Sequence, residues 1–257
     1  PDQEKFWLMA AVTQWKTTRE ISVARGILQN GFLYNEKSEN IWLTAIKLES
    51  EHNQIDRARK LLKKAREKAN TRRIWMKSAK MEWQLQNIEG AMSLLEEALV
   101  RYPNFYKLYL MKGQILTSLN KPDEANEVYS AGTKLCPDNP LIWISLARNE
   151  LKNQSITKAR STLERALVKN PLSDQIWHES VLIEVKNDNK KRAKQVLARA
   201  QQKMPKSGLL WSLAIGIAAR PERKHISLQA LRSCPDSQHA LMIVARMFMT
   251  ERKIQKV

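Results

Sequence analysis

The stretch Ala159-Arg160-Ser161-Thr162-Leu163-Glu164-Arg165-Ala166-Leu167, preceded by Trp143 and Glu150 and followed by Pro171, decides the fold, because its landmarks recur at one period. Trp7, Trp42, Trp75, Tyr109, Trp143, Trp177 and Trp211 stand 35, 33, 34, 34, 34 and 34 residues apart. Sixteen or seventeen residues after each of the first six comes a small residue: Ala24, Ala58, Ala91, Ala125, Ala159 and Ala193. Seven further on comes another: Gly31, Ala65, Ala98, Gly132, Ala166 and Ala200. Small residues at i and i+7 lie nearly over one another on a helix and let a neighbouring helix approach closely. Pro103, Pro137, Pro171 and Pro205 then close the second helices, where a missing backbone donor can be spared.

Each unit is therefore a helix pair that cannot bury its apolar face alone, and stacking supplies the core. The pattern predicts an all-α solenoid of about seven pairs plus a final unpaired helix, coiled into a superhelix with a concave inner face. Repeats fall near 4–38, 39–71, 72–105, 106–139, 140–173, 174–207 and 208–239, with a partial unit at 240–257. The first helices are expected near 4–15, 39–51, 72–85, 105–118, 140–152, 174–186 and 207–219. Ala240 to Thr250 reads as a first helix and Glu251 to Val257 as the turn and opening of a second. Solenoids normally end in a polar cap, so the whole of 1–257 reads as one array within a longer protein.

An acid–base correlation accompanies the ladder. Glu49, Glu82, Glu150 and Glu184 stand seven residues after the bulky position, and Arg59, Arg160 and Lys194 stand one residue after the second-helix alanine. A carboxylate on the inward side of a helix is costly unless paired. The expectation is pairing within each repeat: Glu49 with Arg59, Glu150 with Arg160, and Glu184 with Lys194. Repeats four and seven have neither partner, showing Leu116 with Asn126 and Ala218 with Leu228, while repeat three has Glu82 but Met92.

With 44 Lys and Arg against 26 Asp and Glu, the chain carries a formal charge of +18, which favours an anionic partner or an assembly rich in nucleic acid. The cations cluster. Eleven lie between Arg57 and Lys80, including Arg57, Arg59, Lys60, Lys63, Lys64 and Arg66, and eight between Lys186 and Lys206, including Lys190, Lys191, Arg192 and Lys194. They read either as anion- or partner-binding regions, phosphate included, or as solvated helix faces. Tyr102, Phe105 and Tyr106 cluster at one inter-repeat turn and read either as a protein contact or as packing between repeats.

No catalytic or metal-binding constellation is read, and no cofactor is expected. His52, His178, His225 and His239 lack ligand spacing, and there is no phosphate loop or nucleophile elbow. Cys136 and Cys234 form no disulfide framework, which suits a reducing compartment. No apolar run is long enough to span a bilayer.

The pattern of Trp and Glu on a first helix with Ala-Arg, Ala and Pro on a second resembles the half-a-tetratricopeptide repeat. Repeat four, with Tyr109, Gly113, Ala125, Tyr129, Gly132 and Pro137, resembles an ordinary tetratricopeptide repeat. At positions the fold does not dictate, Arg73-Ile74-Trp75-Met76-Lys77-Ser78-Ala79-Lys80, Met111-Lys112-Gly113-Gln114-Ile115, Ser207-Gly208-Leu209-Leu210-Trp211, Ala219-Arg220-Pro221 and Glu251-Arg252-Lys253-Ile254 resemble the C-terminal repeats of the spliceosomal pre-mRNA-processing factor six family. That resemblance implies a non-enzymatic nuclear scaffold bridging small nuclear ribonucleoproteins in the tri-snRNP, with its spliceosomal proteins as partners. Repeat scaffolds of 3'-end cleavage or ribosomal-RNA processing share the generic pattern, and direct contact with an RNA backbone through the basic regions is a rival use.

Overall fold

The computed structural model describes residues 3–254. Among them are fifteen α-helices and no strand: α1 (Glu4–Thr13), α2 (Ile21–Tyr34), α3 (Glu39–Glu51), α4 (Ile55–Lys68), α5 (Arg72–Gln84), α6 (Ile88–Arg101), α7 (Tyr106–Ser118), α8 (Pro122–Leu135), α9 (Pro140–Lys152), α10 (Ile156–Lys169), α11 (Asp174–Lys186), α12 (Lys190–Lys203), α13 (Gly208–Ile217), α14 (Arg220–Ser233) and α15 (Gln238–Ile254). The expected all-α solenoid of helix pairs is present. No described helix is long and apolar enough to cross a membrane.

The chain divides into two compact units, 1–115 and 116–257, and the division falls inside α7. In the first unit α1 packs on α2, α3 on α4 and α5 on α6, while α2 against α3 and α4 against α5 join successive pairs. In the second, each helix from α8 to α15 packs on the next, and α13 also meets α15. The small-residue ladder makes this close approach. Ala24, Ala58, Ala91, Ala125, Ala159 and Ala193 are fully buried, and a Cβ placed on Gly31 would stand 3.4 Å from both Ile41 Cδ1 and Trp7 Cβ.

Local signals fix the helix ends. The side chains of Ser38, Thr71, Asn139 and Ser173 accept N-terminal N–H bonds of α3, α5, α9 and α11, supplying partners to otherwise orphaned donors. Each first helix from α3 to α11 ends in a non-glycine residue with left-handed backbone: Asn53, Gln86, Asn120, Gln154 and Asp188. The following N–H reaches back five residues to the carbonyls of Glu49, Glu82, Leu116, Glu150 and Glu184, at 2.9 to 3.0 Å, which is the Schellman closure.

Three ends depart from the sequence expectation. The first helix passes into a π-helical turn, Gln14–Thr18, before a left-handed Arg19. The seventh first helix, α13, stops at Ile217, because Ala218 and Ala219 are extended ahead of Pro221 at the start of α14. The final helix does not turn after Thr250; α15 continues to Ile254, since no glycine or proline interrupts it. Residues 255–257 of that expected turn lie outside the described residues.

Candidate interaction grooves

Five tryptophans of the ladder tie their repeats to the turn before. The indole N–H groups of Trp42, Trp143, Trp177 and Trp211 donate to the carbonyls of Glu36, Pro137, Pro171 and Pro205, each six residues back, at 2.7 to 3.0 Å. Trp75 has no proline behind it, and the Asn70 side chain accepts instead, at 2.8 Å. The ring of Trp75 lies within cation–π reach of Arg66 and Arg101, at 5.4 and 5.1 Å. Tyr109, in the same ladder slot, is buried.

The acids and bases do pair, but across repeats. Arg25 on α2 closes a two-pronged fork on Glu49 of α3, 2.7 Å on each prong. Arg59 on α4 does the same to Glu82 of α5, at 2.9 and 2.7 Å, and Arg160 on α10 to Glu184 of α11, at 2.7 and 2.6 Å. None of the three expected within-repeat pairs forms as such. Glu49 is held by Arg25 rather than Arg59, Glu150 is not held by Arg160, and Lys194 turns to Glu222 at 3.7 Å while Glu184 takes Arg160. The second helix of one repeat packs beside the first helix of the next, so its base reaches forward. Arg25 follows Ala24 as Arg59 follows Ala58, and extending that ladder one repeat earlier finds it from sequence. A further fork, Arg148 to buried Glu179 at 2.8 and 2.6 Å, joins two first helices and has no ladder signal.

Forward pairing resolves the anomaly of repeat three. Glu82 answers Arg59, and Met92 in the base slot corresponds to Leu116 in the next acid slot. One acid is left over. The base slot before Glu150 holds Asn126, whose Oδ1 accepts instead from Asn149 at 2.9 Å. Glu150 Oε2 is buried with no hydrogen-bond partner among the described residues, and burial raises its carboxyl pKa despite the Thr162 hydroxyl, Lys158 and Arg165. For Glu82, burial also pushes upward, but the hydrogen bonds from Arg59 and Asn87 outweigh it and the pKa falls.

Two of the clasps each form one wall of a groove between a second helix and the following pair. Arg25, Glu49 and Arg57 line such a groove of about 350 Å³; Arg160, Glu184 and Arg192 line another of about 370 Å³. Of the basic residues expected to bind partners, several are already engaged. Arg59 holds Glu82, Arg66 lies over Trp75, Arg192 approaches Glu184 and Glu164 at 3.4 and 3.6 Å, and Lys190 approaches Asp188 at 3.7 Å. Arg57, Lys60, Lys63, Lys64 and Lys191 are exposed and make no ion pair among the described residues. The aromatic cluster divides: Phe105 is buried in the first unit's core, Tyr102 packs on that core and its hydroxyl donates to the Asn70 carbonyl, and Tyr106 is half-buried. The buried Cys234 thiol donates to the Ala230 carbonyl at 3.0 Å.

The FAT domain family matches residues 8–170. Pre-mRNA-splicing factor prp1 of Schizosaccharomyces pombe is 48% identical over 209 residues, covering 81% of this chain and 23% of that protein. Pre-mRNA-splicing factor 6 of Saccharomyces cerevisiae is 39% identical over 77 residues, covering 30% of this chain and 9% of that one. The chain thus spans less than a quarter of the length of these curated relatives, and the resemblance to splicing factors read at the non-ladder positions is borne out. Among solved structures, the C-terminal part of a TPR repeat-containing protein from Cytophaga hutchinsonii superposes with a TM-score of 0.57 at 13% identity, covering 92% of this chain and 98% of that one. At that identity the likeness concerns the fold alone.

Proposed function

The chain belongs to the FAT domain family, and from its similarity to the splicing factors we propose that it is part of a non-enzymatic protein-interaction scaffold acting in pre-mRNA splicing in the nucleus. Its role is to bridge small nuclear ribonucleoproteins of the tri-snRNP during spliceosome assembly. The observation that carries this reading is the 48% identity over 81% of the chain, far more than ladder positions alone require of a helix-pair array. Stacked pairs offer partners grooves between neighbouring helices, and the +18 charge suits an assembly built on RNA.

The test is affinity purification of the full parent protein from nuclear extract, with and without residues 1–257. Recovery of tri-snRNP proteins that drops when the segment is deleted supports the reading. Recovery of polyadenylation factors alone contradicts it.

A further inference from the structure

The groove of the first unit has a residue-by-residue counterpart in the second, 135 positions on: Arg25 matches Arg160, Glu49 matches Glu184, Arg57 matches Arg192, and Lys64 matches Arg199. Two positions differ in charge. Gln29 stands where the second groove has Glu164, and Lys60 where it has Gln195. The first groove thus carries Arg25, Arg57, Lys60 and Lys64 against Glu49 alone, whereas the second sets three arginines against two glutamates. In the second, Arg192 spends its charge on Glu184 and Glu164, at 3.4 and 3.6 Å. In the first, Arg57, Lys60 and Lys64 form one stripe of α4, at i, i+3 and i+7, with no ion pair among the described residues. Half-buried Phe32 and Leu61 supply an apolar lining beside them.

We propose that the groove between α2, α3 and α4 is the docking site for an acidic segment of a partner protein, seating an apolar side chain against Phe32 and Leu61 while its carboxylates meet Arg57, Lys60 and Lys64. An apolar lining with a cationic rim is complementary to an acidic peptide with a hydrophobic anchor. RNA fits it less well. A single strand is gripped by stacking bases on free aromatic faces, and the aromatic here, Phe32, is stacked on Trp42 at 4.1 Å. A groove of about 350 Å³ takes side chains rather than a duplex.

The proposal rests on the scaffold reading and names a partner chemistry for it. The test uses purified chain and fluorescence anisotropy at low salt with three labelled probes: a short Asp/Glu peptide containing Leu and Phe, the same peptide with Ser in place of Leu and Phe, and an oligouridylate of equal length. The double variant Gln29→Glu/Lys60→Gln gives the first groove the charges its counterpart carries, so it is expected to fold, as an unchanged melting curve verifies. We expect it to weaken the Leu/Phe peptide about tenfold, the scale of losing one charge-assisted contact. The reciprocal Glu164→Gln/Gln195→Lys variant is expected to create a second site. Unchanged peptide binding in the first variant, equal binding of the Ser peptide, or tighter binding of oligouridylate would each overturn the assignment. Failure of the peptide to bind removes the groove alone; the scaffold reading is decided by the purification.

Discussion

Arg160 on α10 and Glu184 on α11 are joined prong to prong across a repeat boundary, at 2.7 and 2.6 Å, with the glutamate buried and its other neighbour, Arg192, at 3.4 Å. The earlier clasp of Arg25 with Glu49 has the same geometry, but among the described residues no second base comes within ion-pair distance of Glu49. Removing a base from a buried carboxylate leaves an uncompensated charge. Arg25→Ala should therefore destabilise by about 2–3 kcal/mol, and Arg160→Ala by about 1–2 kcal/mol because Arg192 remains, both figures discounted for the partly exposed arginines. Urea denaturation checks the order of the two.

Glu150 should behave in the opposite sense to Glu82. Its folded pKa is raised above the ordinary 4.5 by burial, so its contribution to stability is fully present below that value and is lost as pH rises through the folded value. Glu150→Gln should gain on the parent at neutral pH, by up to about 1 kcal/mol, with the gain vanishing near pH 4. The Glu82 carboxyl is lowered, with Arg59 and Asn87 overriding the burial that opposes them. Its contribution is present above the ordinary value and lost as pH falls through the folded one, so the Glu82→Gln deficit should shrink in acid. Thermal melts at pH 4, 5.5 and 7 measure both.

The left-handed ends of the first helices invite substitution. Gln154 and Gln86 hold φ of 58° and 61°, where a side chain is disfavoured and glycine is not. Gln154→Gly and Gln86→Gly should each stabilise by about 0.5–1 kcal/mol, whereas Gln154→Val should destabilise by at least about 1 kcal/mol. The melting temperatures of the three variants decide this.

The indole bonds to the preceding turns should be measurable one at a time. Trp143→Phe keeps a six-membered aromatic ring but removes the five-membered ring of the indole and with it the N–H that donates to the Pro137 carbonyl at 2.8 Å. The loss should be about 1 kcal/mol for the hydrogen bond, plus a packing loss of about the same size from the smaller buried ring. Trp75→Phe also removes the bond to Asn70 and weakens the stack under Arg66 and Arg101, so it should cost more.

The period made the helix pairs readable because each ladder slot has a single physical demand: bulk at Trp143, smallness at Ala159, and a closing residue at Pro171. Bounds followed wherever a cap supported them, as at Ser38 and Asn139. They slipped where the ending was conformational and unmarked, as at the π-helical turn after Thr13 and at extended Ala218. The site was half legible. Residue types named the acids and bases, but a correlation within one repeat is indistinguishable from one shifted by a repeat until helices are placed side by side. The clue was repeat three, where Glu82 beside Met92 made sense only when read backward to Arg59 and forward to Leu116. The left-handed positions stayed hidden at Gln86 and Gln154, whose type does not announce such a backbone, whereas Asn53, Asn120 and Asp188 are of a type that adopts it more readily.

The forward clasp joins a base to the acid of the next repeat, as Arg160 does Glu184, and a double-mutant cycle tests it most directly. Arg160→Ala, Glu184→Gln, Glu150→Gln and the two double variants that share Arg160→Ala would be compared by chemical denaturation. A coupling of about 1–3 kcal/mol is expected between Arg160 and Glu184, and one within about 0.5 kcal/mol of zero between Arg160 and Glu150. A large coupling of Arg160 to Glu150, with none to Glu184, would contradict it.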